Sequence, residues 1–485
     1  MPSHNAIHPA PARTLVLKNT FVLLSGQAAL MLGSAVTTFV LARQLGSERF
    51  GEYNGVLTFV GLFLPIAIFG LDSMLVREMS AAPQRARITF GTGLILQLAA
   101  SVVAILCCIG ASIYFGYSAQ EKLLIGIWSV SLMFAGGQLF QVAYTLELNN
   151  SKPIRLSTAI ALGGTIVKLL LVLTKAELIA YVVCDLVVSI VTSFSLWRIV
   201  RHHPEFSPEW RFDWEISGRL LRGGLPLMLT SILIASYHRI DQQFLLRWKG
   251  PGELGQYAAA VRMAEMLSLF PVFFMRSAFP IISSLSVESQ EKPLRISASC
   301  YRYLFLLNLP AIFLGILLAP QIINLVYGPA YSSAADALPW LLGAEIPVIA
   351  GVVVGQFIVA ARLQNFTVIF CGINFAANLL LCIALIPRSG IYGAAIASFI
   401  GYGISIPIQM IFNATRPYAT VLIWEMLRAA SVGLVTWIAF VLSSWFLPLI
   451  LTIVLSASVF CCASISMKLI RREDMRLVQE LKEIA

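Results

Sequence analysis

Residues 223–280 read GGLPLMLTSILIASYHRIDQQFLLRWKGPGELGQYAAAVRMAEMLSLFPVFFMRSAFP, and this stretch decides the fold. Two apolar runs of membrane-crossing length flank a short Gly-rich turn. Arg239, Asp241, Arg262, Glu265 and Arg276 stand inside apolar surroundings. A charge at membrane depth costs roughly 2.5–3.5 kcal/mol by insertion scales, so each is a functional candidate. The stretch also has an echo. A gapless shift of 204 positions lays Leu41–Tyr53 (LARQLGSERFGEY) on Leu245–Tyr257 (LLRWKGPGELGQY). Leu41, Arg43, Gly46, Gly51 and Tyr53 then meet Leu245, Arg247, Gly250, Gly255 and Tyr257. Many transporters are built from internal repeats of this kind.

Working outward, the chain is 58% hydrophobic and 12% charged, with a mean hydropathy of +0.83. That composition excludes an ordinary soluble globule. Apolar runs of about 20 residues recur along the chain, the length that crosses a hydrocarbon core of about 30 Å. The expected fold is an all-α polytopic membrane protein with about 14 transmembrane helices. The expected order is a tail at 1–15, a six-helix lobe at 16–200, a linker at 201–221 and a second six-helix lobe at 222–413. Two further helices at 414–470 and a tail at 471–485 complete it. The first and seventh helices run the same way, so the lobes read as parallel repeats. Within the linker, Trp210 and Trp214 beside Arg211 and Arg219 suggest a short helix at the membrane interface, or a plain linker with interfacial anchors.

With the N-terminus in the cytoplasm, the inner segments collect about 22 Lys and Arg against about 7 outside, Arg302 being counted among the inner set. Both tails are therefore expected in the cytoplasm. The same bias accounts for much of the net charge of +10 without a nucleic-acid partner. The eight cysteines fall in or beside apolar runs and the five histidines form no helical metal pair, so no metal or cofactor is expected. No GK[ST] follows the Gly clusters, which read as turns and helix-packing positions.

The cations within the spans are Lys168, Arg239, Arg262, Arg276 and Arg428, accompanied by Asp185, Asp241, Glu265, Glu345 and Glu425. In the eighth helix Arg262, Glu265, Leu269, Phe273 and Arg276 fall within an arc of roughly 80° at 100° per residue. That stripe faces other helices or water. Lys168, expected near the middle of the fifth helix, joins Arg239, Arg262 and Arg276 as a cationic cavity suited to phosphate, which Arg binds through bidentate bonds. The bland alternative is structural pairing, with Arg262–Glu265 and Glu425–Arg428 three residues apart. Asp185, Asp241, Glu265 and Glu345 are candidate coupling acids.

The order of motifs resembles polysaccharide-export flippases of the Wzx type, in the multidrug/oligosaccharidyl-lipid/polysaccharide superfamily. The resemblance rests on LARQLGSERFGEYNGVLTFVGLFLPIAIFGLDSMLVRE, LPLMLTSILIASYHRIDQQFLL with GQYAAAVRMAE, FPIISSL, LVYGPAYSSAADALPWLL and NLLLCIALIPRSGIYGAAIA. It implies a V-shaped pair of six-helix lobes and alternating access. It also implies transport of an undecaprenyl-pyrophosphate-linked oligosaccharide (an O-antigen, capsule or exopolysaccharide unit) across a bacterial inner membrane. The lipid bilayer and other polysaccharide-assembly membrane proteins are the implied partners. Asp241 and Arg262 carry over as motif positions. A cation or multidrug antiporter of the same superfamily, and a membrane glycan polymerase or ligase, stay open as alternatives.

Overall fold

A computed structural model describes residues 9–146, 151–203, 207–288, 291–361, 363–446 and 448–467. The expected C-terminal tail and the first eight residues of the N-terminal one lie outside the described residues. Every regular element among the described residues is helical. Eleven segments are long and apolar enough to cross a membrane. Two of these, Gly33–Ala81 and Phe366–Ile408, contain a glycine with non-helical dihedrals, Gly46 and Gly390, and divide there. With the shorter apolar helix Val454–Ser466 the crossings number fourteen, as the apolar runs require.

The chain forms two compact units, Met1–Gly255 and Gln256–Ala485. The first holds α1 (Pro9–Gly61), α2 (Leu64–Ile68), α3 (Leu71–Ala81), α4 (Ala86–Tyr114), α5 (Ala119–Ser129), α6 (Gly137–Leu146), α7 (Ser151–Leu173), α8 (Leu178–Val200), α9 (Trp214–Tyr237) and α10 (Ile240–Lys249). From Pro251 the chain continues in α11 (Pro251–Glu288), α12 (Glu291–Leu317), α13 (Ala319–Tyr327), α14 (Ser332–Ala360), α15 (Gln364–Gly403), α16 (Ser405–Ile408), α17 (Arg416–Ser444) and α18 (Leu449–Ser466).

Within the first unit, α9 and α10 pack on the opening helices. Between α2 and α3 the chain breaks at Phe69 and Gly70, both with positive φ. The GGLP motif lies against this break. A Cβ on Gly224 would stand 2.5 Å from the Phe69 carbonyl oxygen, and one on Gly70 2.7 Å from the Leu227 Cβ. Those glycines are helix-packing positions, as read from the sequence. Further along, Tyr117 donates to Gln243 Oε1 at 2.9 Å, and Gln243 Nε2 donates to Thr58 Oγ1 at 2.8 Å. All three side chains are buried. In an apolar setting such satisfied polar contacts fix one helix register.

The linker takes the second of the two forms the sequence left open, a plain segment with exposed tryptophans. Residues 207–213 form no helix but an extended strap over the start of α4. Glu209 N–H donates to the Arg87 carbonyl at 3.1 Å, and Arg87 Nη2 donates to Ser207 Oγ at 3.1 Å. Thr92 Oγ1 donates to the Arg211 carbonyl at 3.1 Å. The approach is close enough that a Cβ on Gly91 would sit 1.7 Å from the Glu209 carbonyl oxygen. Backbone pairing to α4 replaces the hydrogen bonds a helix would have supplied. Trp210 and Trp214 remain exposed, as anchors require.

The core of the second unit gathers Tyr301, Phe305, Val353, Phe357 and Leu422. Arg302, counted with the inner charges near the start of its apolar run, lies there too. It is 4% exposed and donates to Glu425 Oε1 at 2.9 Å, as does Arg428. Because α12 starts at Glu291, Arg302 falls well inside the helix and faces α17.

Candidate functional site

Three helices of the first unit bring Tyr53, Lys168 and Asp185 together. Lys168 on α7 forms an ion pair with Asp185 on α8, and both side chains are largely shielded. From α1, Tyr53 donates its hydroxyl proton to Asp185 Oδ2 at 2.5 Å, and Lys168 Nζ donates to the Tyr53 oxygen at 3.3 Å. One carboxylate thus neutralises the ammonium and also accepts the phenol. Lys168 is therefore no lone cation, and it lies nearer the Leu173 end of α7 than its middle. Pairing is the physical reason, since an uncompensated ammonium at this depth is costly.

Arg239 and Asp241 mark the break between α9 and α10. Arg239 is the residue before α10, and its exposed guanidinium lies over Gly61, whose added Cβ would stand 3.2 Å from Nη1. Asp241 is 1% exposed, sits in the first turn of α10, and accepts from the Gln242 N–H at 2.7 Å. A carboxylate there opposes the positive end of the helix dipole. Interrupted helices at membrane depth are tolerated where they line a cavity or are buried in protein. Tyr53 and Gly61 share one helix. Eight residues at 1.5 Å and 100° each put them about 12 Å apart along the axis and about 80° around it.

In the second unit, Arg262 and Glu265 pair along α11 at 3.4 Å, each about half exposed. One turn on, Ser268 donates to Glu345 Oε2 on α14 at 2.6 Å, and Glu345 is buried. The result is a graded row of one accessible cation, one accessible acid and one buried acid. The side chain of Arg276 lies outside the described residues. Among the described residues no cluster of His, Cys, Asp or Glu could hold a metal ion.

Two participants went unassigned in the sequence. Tyr53 was visible as a repeat position, yet nothing local ties it to Asp185, 132 residues away. Its counterpart Tyr257 instead meets Ser398 at 3.2 Å, so the repeat preserves the residue and not its partner. Ser268 carried no signal beyond its place three residues after Glu265.

The fold is that of known transporters. The lipid II flippase MurJ in an inward closed conformation superposes with a TM-score of 0.68 at 15% identity, over 92% of this chain and 98% of that one. An inward-facing multidrug resistance MATE transporter of the MOP superfamily gives 0.64 at 15% identity, over 83% and 95%. Among relatives, a "probable low-salt glycan biosynthesis flippase" of Haloferax volcanii is 22% identical over 374 residues, 75% of this chain and 76% of that one. The family model for polysaccharide biosynthesis proteins matches residues 16–286, more than half of the 485 residues, and the chain belongs to that family.

Proposed function

We propose that this protein is a transporter rather than an enzyme: a flippase that carries an undecaprenyl-pyrophosphate-linked oligosaccharide from the cytoplasmic to the outer leaflet of a bacterial inner membrane. The observation that carries the reading is the exposure of Arg239 and Arg262 within apolar helices, Arg262 with Glu265 beside it, whereas Lys168 is largely shielded in its pair with Asp185. A desolvated Arg binds phosphate in a bidentate manner and lowers the barrier to carrying a charged headgroup through an apolar core. The isoprenoid tail stays in lipid, the two six-helix lobes open alternately to each face, and both termini are cytoplasmic.

Lys168 enters this scheme through Asp185. Asp185, as the partner of Lys168, is a candidate coupling acid. Asp241, Glu265 and Glu345 remain candidate acids for the same role. Arg276 belongs to the proposed cationic set through its place on the arginine-bearing arc of α11. Other polysaccharide-assembly membrane proteins supply and consume the substrate.

The test is complementation of a bacterium lacking its own glycan flippase, with surface glycan as the readout and expression matched. Wild type should rescue; Arg239→Ala, Arg262→Ala and Lys168→Ala should not, and Lys122→Ala should. Rescue that survives all three cavity substitutions would sink the phosphate-site assignment. The acids Asp185, Glu265 and Glu345 favour a second reading, antiport of organic cations, and drug susceptibility of the same strains separates the two.

A further inference from the structure

Away from these charges, the first unit carries an apolar groove of about 290 Å³ between α4, the 3-10 segment Val130–Gly136 and α8. Leu94, Leu98, Phe140, Phe194 and Trp197 line it, and Trp210 from the strap covers one end. The polar side chains in the wall are already engaged. Ser193 donates to the Phe134 carbonyl at 2.8 Å, and Gln97 Nε2 donates to Ser101 Oγ at 2.7 Å. The rim is open, with Leu98 39%, Phe194 58% and Trp210 58% exposed. An apolar cavity with an open apolar rim takes a hydrocarbon chain and holds no water.

The end under the strap is basic. Arg201 lies over the Trp197 ring at 5.2 Å from its centroid, and Arg211 follows Trp210 directly. Both arginines are exposed, with Arg198 exposed nearby and Glu209 as the exposed acid of the strap. Trp rings at the rim and Arg beyond them are the chemistry of a membrane–water boundary. We propose that an acyl chain of an anionic phospholipid fills this groove, with its phosphate held by Arg201 and Arg211. The lipid would then clamp the strap onto α4 and α8. Charge complementarity selects this occupant over a zwitterionic lipid, and the proposal is independent of what the protein transports.

Native mass spectrometry of the delipidated full-length protein tests it, with phosphatidylglycerol and phosphatidylcholine of identical chains as probes. Phosphatidylglycerol should be retained about 30-fold better, two arginines near a surface giving about that factor. The double variant Arg201→Gln/Arg211→Gln should remove the preference, and Leu98→Trp should lower retention of both lipids by filling the groove. Independently of any groove-filling variant, phosphatidylglycerol with brominated chains should quench tryptophan fluorescence, and less so in Trp210→Phe. Three results would overturn the proposal: equal retention of both lipids, retention of both lipids untouched by Leu98→Trp with quenching unchanged in Trp210→Phe, or displacement of phosphatidylglycerol molecule for molecule by an isoprenyl phosphate.

Discussion

Gly51 and Gly255 are equivalent positions of the internal repeat, and each faces backbone of the other copy where its own Cβ would stand. A Cβ on Gly51 would lie 1.8 Å from the Pro251 carbonyl oxygen, and one on Gly255 1.8 Å from the Ser47 carbonyl oxygen. Ser47 and Pro251 are themselves related by the shift of 204. The contact is therefore reciprocal, as across a two-fold axis. Just before it, Gly46 (φ 71°, ψ 172°) and Gly250 (φ 90°, ψ 173°) adopt the same conformation, one that essentially only glycine occupies.

Gly51→Ala and Gly255→Ala should each destabilise the protein by more than the usual 1–3 kcal/mol of overpacking, because the opposing atom is backbone and cannot rotate away. The melting temperature in detergent should fall by several degrees for each. Gly252→Ala, with nothing within 4 Å of its added Cβ, should leave it nearly unchanged. Equal behaviour of Gly51→Ala and Gly252→Ala would contradict the reciprocal contact.

Lys168→Met should lower stability by about 3 kcal/mol because it strands the Asp185 carboxylate among apolar helices. In the double variant Lys168→Met/Asp185→Leu the melting temperature should return towards wild type, while glycan export stays lost. A double variant no more stable than the single one would show that the pair's worth lies elsewhere, in the Tyr53 hydroxyl for example.

The Arg302–Glu425–Arg428 cluster gives a graded expectation. Glu425→Gln leaves a buried guanidinium without its counter-charge and should cost about 3–5 kcal/mol. Arg428, 36% exposed, should matter far less than Arg302, 4% exposed. Chemical denaturation of the three single variants checks the order Glu425→Gln ≈ Arg302→Met > Arg428→Ala.

Asp213 caps α9 and supplies a pH dependence. Its carboxylate accepts from the Ile216 N–H at 3.1 Å and the Glu215 N–H at 2.9 Å, and these bonds, the Ile216 one first, hold its pKa below the ordinary carboxylate value. A depressed folded-state pKa means the contribution is fully present above the unfolded value of about 3.9 and is lost as pH falls through the folded value. Asp213→Asn keeps the cap but not the charge. Melting curves of wild type and Asp213→Asn should therefore differ at neutral pH and converge below about pH 4.

How much of this was legible in the chain differs from residue to residue. The glycines at 46, 51, 250 and 255 declared themselves, because a backbone approach with no room for a Cβ leaves a one-letter mark at fixed spacing. Arg262 and Glu265 were legible as a pair because helix geometry alone sets three residues on one face. Arg302 was counted only as an inner charge, because its compensating carboxylate, Glu425, stands 123 residues away. The strap was left open between two forms because Trp and Arg in alternation suit an interfacial helix as well as an extended segment. Only the carbonyl of Arg87 and the hydroxyl of Thr92 decide between them.

By itself the sequence determined the class of fold, the number of crossings and the repeat, since these follow from the length of apolar runs and from a solvent that forbids unpaired backbone. It also showed which ionisable residues stand inside apolar runs. The tertiary structure alone decided how they are engaged: Lys168 is neutralised by Asp185, which also accepts from Tyr53, Arg302 is neutralised by Glu425, and Arg239 and Arg262 keep exposed side chains, Arg262 beside Glu265. The reason is that a charge in an apolar medium is governed by its nearest partner, and for Lys168 and Arg302 that partner comes from another helix.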